Sequence, residues 1–425
     1  MPFDLLLAAR DLVAADTVSA GGNAAIVPVV ARLCEATGLE LRIFERELSG
    51  VRQANLLVSL PGGETRDPLL FVTHTDTVPP GDPARWTKSP PFVAKVEGDL
   101  LYGLGAADVK VDLAAKLLAL ERLRGRRLAR GVFLLGSYGE EIGLLGAKAF
   151  AKEGPVRPRQ VVCTEPSELR IVHAHKGYLV AHVWLGEKGP ASPAARTVRF
   201  EGRACHSGTP ALGVNAIELA LASDLTGAVS LSGGQGANSV PGLCEISLHD
   251  GPSEIPLEAI RAVARAWRAR IGALVPERDE RFAPAETVSN FGLCHASGGE
   301  AELYFDARLL PGHDPSAIGA AFEADVRAAG GRLRIERENP AVWTDPEGEL
   351  CRAARKASGK LGLDDRPVTK ATNTEAAAFA ATAEAIVFGA GPSTGNVHCP
   401  NEHTRLSELR RAVDWTLALA LELCG

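Results

Sequence analysis

Hydrophobic positions along the first 176 residues change period repeatedly. Spacings of three and four from Asp4 to Ala15 and from Asn23 to Ala36 predict helices. Short apolar or β-branched runs predict strands at LRIF (41–44), NLLVSL (55–60) and LLFVTH (69–74). A helical pattern from about Val111 to Leu123 precedes the apolar run GVFLLGS (131–137), and QVVCTE (160–165) reads as another buried strand. This alternation predicts an α/β fold whose mixed, mostly parallel sheet is flanked by helices. In such sheets ligands gather at the carboxyl ends of the strands.

From about Gly177 the pattern changes. YLVAHVWL and RTVRFEG alternate with period two, as antiparallel strands with one solvated face do. A helix is predicted from Val214 to about Ser223. Two similar units follow: VSLSGGQGANSVPGLCEISLHD with a helix at 256–272, and VSNFGLCHASGGEAELYFDARLLPG with a helix at 315–328. Each is strand, Gly-rich loop, strand and helix, which reads as a weak internal repeat. After GGRLRIER (330–337) the α/β style returns, with AIVFGAG (385–391) as a strand and an amphipathic helix from Leu406. An α+β domain at 177–337, inserted between the two parts (1–176 and 338–425) of one α/β domain, accounts for this order. The length of 425 residues also favours two domains.

The net charge of −6 offers no electrostatic reason to expect nucleic acid or an anionic membrane as a partner. MPFDLLLAARDLVAAD carries acid and base within its apolar stretch, so it reads as an amphipathic helix and not a signal peptide. No apolar run approaches the roughly 18 residues of a membrane span. The eight cysteines are scattered without a CxxC pair, as reduced cytoplasmic thiols are, and they argue against a Cys-rich structural zinc site.

Candidate chemistry lies where the apolar runs end. In FVTHTDTV, His74 and Asp76 alternate along a strand and share a face. An imidazole with a carboxylate close by suits a metal ligand oriented by a neighbouring acid. In YGLGAADVKVD, Asp108 opens a predicted helix, where an N-cap and a metal ligand are compatible roles. GSYGEEIGLLGA ends a buried strand with Glu140 and Glu141, whose two like charges would be costly there without a cation. One acid can bind metal while its neighbour takes a proton from water. Glu165 in VVCTEPSEL and His398 in GNVHCPNEHT each follow a strand and are, taken singly, ordinary loop residues. Together these imidazoles and carboxylates suit two divalent cations, zinc first, with cobalt or manganese as alternatives.

HTDTV, GxGAxDxK around Asp108 and Lys110, EEIGxxGA, TEPS, GRACHSGTPxxGVNAI and HCPNE occur in this order along nearly the whole chain. This ordered set resembles the di-zinc peptidase and deacylase family that contains acetylornithine deacetylase, succinyl-diaminopimelate desuccinylase and glutamate carboxypeptidase. The resemblance implies a catalytic domain interrupted by a lid and dimerisation domain. It implies that Asp108 bridges the metals, with His74 and Glu165 on one and Glu141 and His398 on the other. Glu140 would be the general base and later the acid, and Asp76 would orient His74. His206 would reach the partner subunit's site in a homodimer and stabilise an oxyanion. Arg308 and Asn238, one in each repeat unit, fall where the family binds a substrate carboxylate.

Two departures stand out. Val111 and Asp112 replace the glycines usual after the Asp108 segment, and the lid is enlarged. ATNTEAAAF (371–379) is more similar to the Thr-Glu-Ala stretch of acetylornithine deacetylases than to the Gly-Thr-Asp of peptidases and desuccinylases. The expected reaction is therefore metal-dependent hydrolysis of an N-acyl amino acid, deacetylation first. Desuccinylation or dipeptide cleavage is second, and a non-catalytic binding relative is the reading from another class.

Overall fold

LLFVTH becomes the strand Leu69–His74, buried along its whole length. It lies between two other buried strands, Val132–Ser137 and Gln160–Cys163, and all three run parallel. Glu384–Val387 joins Gln160–Cys163 as a fourth parallel strand. These runs are continuously apolar because both faces of a parallel sheet are covered. Antiparallel strands flank these four: Val51–Ser59 and Glu40–Leu48 on one side, and Val172–His175 beside Glu384–Val387 on the other. Val342–Trp343 and Val368–Lys370 pair with Val172–His175 and bring the sheet to nine strands. In register, His74 stands beside Ser137, so the strand ends that precede Asp76, Glu140 and Glu165 lie next to one another.

This computed structural model describes residues 3–62 and 66–425; Met1 and Pro2 of the MPFDLLLAARDLVAAD stretch lie outside them. The chain divides into two units, Met1–Ala174 with Val342–Thr369 and Thr374–Gly425, and His175–Ala341 with Lys370–Asn373.

In the first unit, the predicted N-terminal helix is Leu5–Ala14, its first turn capped by the Asp4 carboxylate accepting from the backbone of Leu6 and Leu7. Helices Asp112–Leu123 and Leu406–Cys424 belong to the main core, where Trp415 stacks on Phe388 at 3.6 Å. Trp415 also gives its indole proton to Ser358. One expectation is corrected here. The helix begins at Asp112 and not at Asp108, so Asp108 is not an N-cap. Asp108 lies in the preceding irregular segment, whose amides at Ala107 and Asp108 are taken by the Glu402 carboxylate instead of by a helix cap.

The second unit is built on one antiparallel sheet. Its strands in chain order are β1 (Gly177–Gly186), β2 (Arg196–Glu201), β3 (Ala228–Gly234), β4 (Leu243–Leu248), β5 (Val288–Ser297), β6 (Glu300–Leu309) and β7 (Gly331–Asn339). In space the order is β2-β4-β3-β5-β6-β1-β7. Helices α1 (Ala216–Leu221), α2 (Leu257–Gly272) and α3 (Pro315–Ala328) share an apolar core with one face of this sheet. Along β1 and β6 the positions between the core residues, including Tyr178, His182, Tyr304, Asp306 and Arg308, fall on the opposite face.

Among the described residues no helix is long and apolar enough to cross a membrane. All eight cysteines are free thiols.

Candidate metal centre and its supports

Five side chains of the first unit form two overlapping groups. His74, Asp108 and Glu165 make one, and Asp108, Glu141 and His398 the other; within each group the donor atoms lie within 4.8 Å of one another. Asp108 belongs to both. Its Oδ1 is 3.1 Å from His74 Nε2, and its Oδ2 is 3.1 Å from His398 Nε2. Glu141 Oε1 approaches the same His398 nitrogen at 3.2 Å. The structure brings together all five residues expected to bind metal.

Local sequence explains how each arrives. His74 ends a strand, and its Nδ1 lies 3.1 Å from the Asp76 carbonyl, which fixes the ring and presents Nε2 to Asp108. Glu140 and Glu141 follow the strand Val132–Ser137 through a turn containing Gly139, whose φ of 63° a side chain rarely adopts. Glu165 follows Gln160–Cys163 after Thr164, and His398 sits in a loop with a left-handed backbone, φ 56°.

Asp76 has more work than orienting an imidazole. Its Oδ1 is 3.7 Å from His74 Nδ1, beyond a hydrogen bond. Its short bonds come from Ser19 Oγ at 2.6 Å, Glu140 N at 3.0 Å and Glu141 N at 3.3 Å. The expected support of His74 is therefore joined by direct control of the Glu140–Glu141 backbone.

Electrostatics match a site that requires cations. Burial opposes ionisation of Asp108, but its bonds to His398 and His74 outweigh this and hold the carboxyl well below the usual carboxylate range. The His398 imidazole is pushed up to about 11 by Asp108 and Glu141. Burial would depress His74, yet Asp108 and Asp76 raise it well above its ordinary value. Glu140 is raised well above a normal glutamate by desolvation and by the charges of Glu165, Glu141 and Glu375. Carboxylates outnumber imidazoles, so the cluster attracts positive charge. Imidazole with carboxylate is a donor set for zinc, cobalt or manganese. The residues fit a pair of divalent cations sharing Asp108.

Two further acids escaped the sequence reading. Glu402 is buried and accepts from Ala107 N at 2.8 Å and Asp108 N at 3.0 Å; burial and the Asp108 charge push it up to about 7. Glu375 is buried, accepts from Ser137 Oγ at 2.5 Å and is likewise pushed up to about 7, chiefly by burial. Each was within a quoted motif, HCPNE or the Thr-Glu-Ala stretch, but nothing local marked it as a support. Asp112, the departure noted above, is buried and bonded to Lys116 at 2.5 Å, so its extra charge is balanced inside the helix.

His206, Asn238 and Arg308 belong to the second unit. Cys205–His206 pairs with Ser239–Val240, which puts His206 beside the Asn238 loop. Gly208 N donates to His206 Nδ1 at 3.0 Å, so that nitrogen is an acceptor and the ring proton resides on Nε2. Arg308 is buried, with its guanidinium 3.5 Å from the Tyr178 ring centroid.

The profile of peptidase family M20/M25/M40 matches residues 70–422, and the chain belongs to that family. It is 32% identical over 217 residues to an acetylornithine deacetylase of Aliivibrio salmonicida, covering 51% of this chain and 52% of the relative. A Yersinia pseudotuberculosis acetylornithine deacetylase is 29% identical over 304 residues, 63% of this chain and 73% of the relative. The matched stretch thus spans about half the length of the first relative. Among solved structures, an M20 family metallo-carboxypeptidase, Sso-CP2 from Sulfolobus solfataricus, aligns over 98% of both chains with a TM-score of 0.65 and 20% identity, a likeness of fold.

Proposed function

We propose that this protein is a metal-dependent amidohydrolase that removes the acyl group from the amine of an N-acyl amino acid, with an N-acetyl amino acid such as acetylornithine as the first candidate. One observation carries the reading: two trios of imidazole and carboxylate donors share Asp108, and Glu140 stands beside them tethered by Asp76. The likeness to acetylornithine deacetylases and the TEA sequence at 374–376 support the substrate class.

His74, Asp108 and Glu165 would hold one cation, and Asp108, Glu141 and His398 the other, zinc being the first expectation. When bound, the cations would acidify a water molecule and polarise the amide carbonyl. Glu140 would take the proton from that water and return it to the leaving amine. Its position suits this role, since desolvation and neighbouring acids give it an affinity for a proton that a solvated glutamate lacks. His206, with its proton on Nε2, has the chemistry of an oxyanion donor. Arg308, a buried guanidinium, has that of a holder of the substrate carboxylate.

The test is release of free amine from N-acetylornithine, N-succinyl-diaminopimelate and simple dipeptides, each with added zinc or cobalt. Fastest turnover of the acetyl substrate supports the proposal. Faster cleavage of the succinyl compound or a dipeptide moves the substrate class while keeping the chemistry. A chain that binds two equivalents of metal and hydrolyses none of them overturns it in favour of a binding relative.

A further inference from the structure

The second unit contains one arrangement twice. β3, β4 and α2 form the first copy, and β5, β6 and α3 the second. The copies meet where β3 and β5 run antiparallel, with Leu231 opposite Ala296, Ser232 opposite His295 and Gly233 opposite Cys294. Moving outward from this seam, β4 neighbours β3 and β6 neighbours β5, and beyond them lie β2 and β1. α2 and α3 meet at the same seam, where Trp267 of α2 packs on Phe322 of α3 at 4.9 Å and Arg270 Nη2 donates to Asp325 Oδ1 at 2.8 Å. This is the form of an edge-to-edge contact between two symmetry-related copies, in which each strand meets its own counterpart. Here both sides come from one chain.

The copies carry different chemistry. The first, with the strands beside it, holds His206 and Asn238; the second holds Asp306 and Arg308. Bonds across the seam bring these together. Ser207, next to His206, donates Oγ to Asp306 at 2.6 Å, and its backbone N–H goes to the Asn238 carbonyl at 3.0 Å. Asn290 of β5 donates to the carbonyls of Ala237 and Ser239, both at 2.9 Å, bracketing Asn238. Asn215, ahead of α1, reaches back to the Phe291 carbonyl at 2.9 Å. The backbones approach so closely that a Cβ on Gly234 would stand 2.0 Å from the Gly292 carbonyl oxygen. The motifs that looked far apart in sequence are thus neighbours in space.

We propose that His206, Asn238 and Arg308 act as one set supplied by a single chain, the β3–β5 seam doing inside the chain what contact between two copies would otherwise do. The family resemblance implies the other arrangement, with His206 supplied across a dimer. A second chain could supply the first copy only by displacing β3 from β5, breaking the Ser207, Asn215 and Asn290 bonds and opening one continuous apolar core. Within the chain only residues 273–287 separate α2 from β5. A connection that short gives an effective concentration of about millimolar, which favours closure inside the chain over exchange at ordinary protein concentrations.

The roles of His206 and Arg308 rest on the proposed function, while the pairing at the seam does not, so the two are tested separately. Ser232 and His295 face each other across β3 and β5, with Ser232 Oγ 3.2 Å from His295 Nδ1. An S232C/H295C variant carrying C399S, which removes the exposed native thiol, should oxidise to a cross-link inside one chain, remaining a monomer on a non-reducing gel with two hydrogens lost by mass. A cross-linked dimer, or no cross-link at all under oxidising conditions, overturns the pairing. H206A and R308A chains are then co-expressed. If His206 and Arg308 came from different chains, random mixed dimers would hold one intact site in two, and about a quarter of wild-type activity would return. The expected result is no gain over the two parents; recovery overturns the single-chain set. Should the wild-type chain hydrolyse no N-acyl amino acid, the functional reading falls and the cross-link still decides the pairing.

Discussion

Asp76 Oδ1 accepts the backbone N–H of Glu140 at 3.0 Å, across 64 residues of sequence. The carboxylate that follows the first metal-site histidine therefore positions the proposed base, and through Glu141 N at 3.3 Å it also steadies an expected ligand. Replacing Asp76 with Ala removes this tether. The expected loss in kcat is about 10–100-fold, the size typical of groups that orient metal ligands. A steady-state comparison that finds kcat unchanged refutes the tether's importance.

Glu140→Gln keeps the side chain's shape and abolishes its basicity. Turnover should fall by about 10²–10⁴-fold, while metal content measured by elemental analysis stays at the wild-type ratio. Retained turnover removes Glu140 from the role of base. Lost metal would instead make it a ligand.

Lys116 and Asp112 form a buried ion pair one helical turn apart. Asp112→Ala should cost about 3–5 kcal/mol in denaturant unfolding, because it leaves a buried ammonium uncompensated. The double change Asp112→Leu with Lys116→Met should recover most of that loss. If the single variant is as stable as wild type, Lys116 has another acceptor or reaches water.

His175 is buried, and burial together with the Lys370 charge lowers its imidazole to about 4, against an ordinary 6.5. A proton therefore binds the unfolded chain more readily than the folded one between these values. Stability attributable to the neutral ring is fully present above pH 6.5 and is lost as pH falls towards 4. The total is roughly 3 kcal/mol. His175→Asn should flatten this part of the stability curve. An unchanged slope between pH 6.5 and 4 would assign the acid sensitivity to other groups.

Three of the five ligands were legible because each closes or follows an apolar run: His74 after LLFVT, Glu141 after VFLLGS and Glu165 after QVVCT. Strand ends in a helix-flanked sheet are where polar groups converge, so type and place together were informative. The supports were not legible in the same way. Glu402 reaches Ala107 across 295 residues, and Glu375 reaches Ser137 across 238. Nothing in the neighbours of either acid signals a partner that distant. The reading of Asp108 as the residue that opens the helix failed for a related reason, since a remote carboxylate satisfies the amides that a local cap would otherwise take.

What the sequence determined by itself was local: the period of each segment, the strand ends that carry imidazoles and carboxylates, and the twofold repetition at 229–328. Only the tertiary structure decided that Asp108 serves both ligand groups, that Asp76 tethers Glu140, and that the Ser207 turn is bonded to Asp306. The physical reason is the range of the interactions. Periodicity and turn chemistry act over a few residues, whereas each of those contacts closes a loop of tens to hundreds of residues and forms only when the whole core is in place.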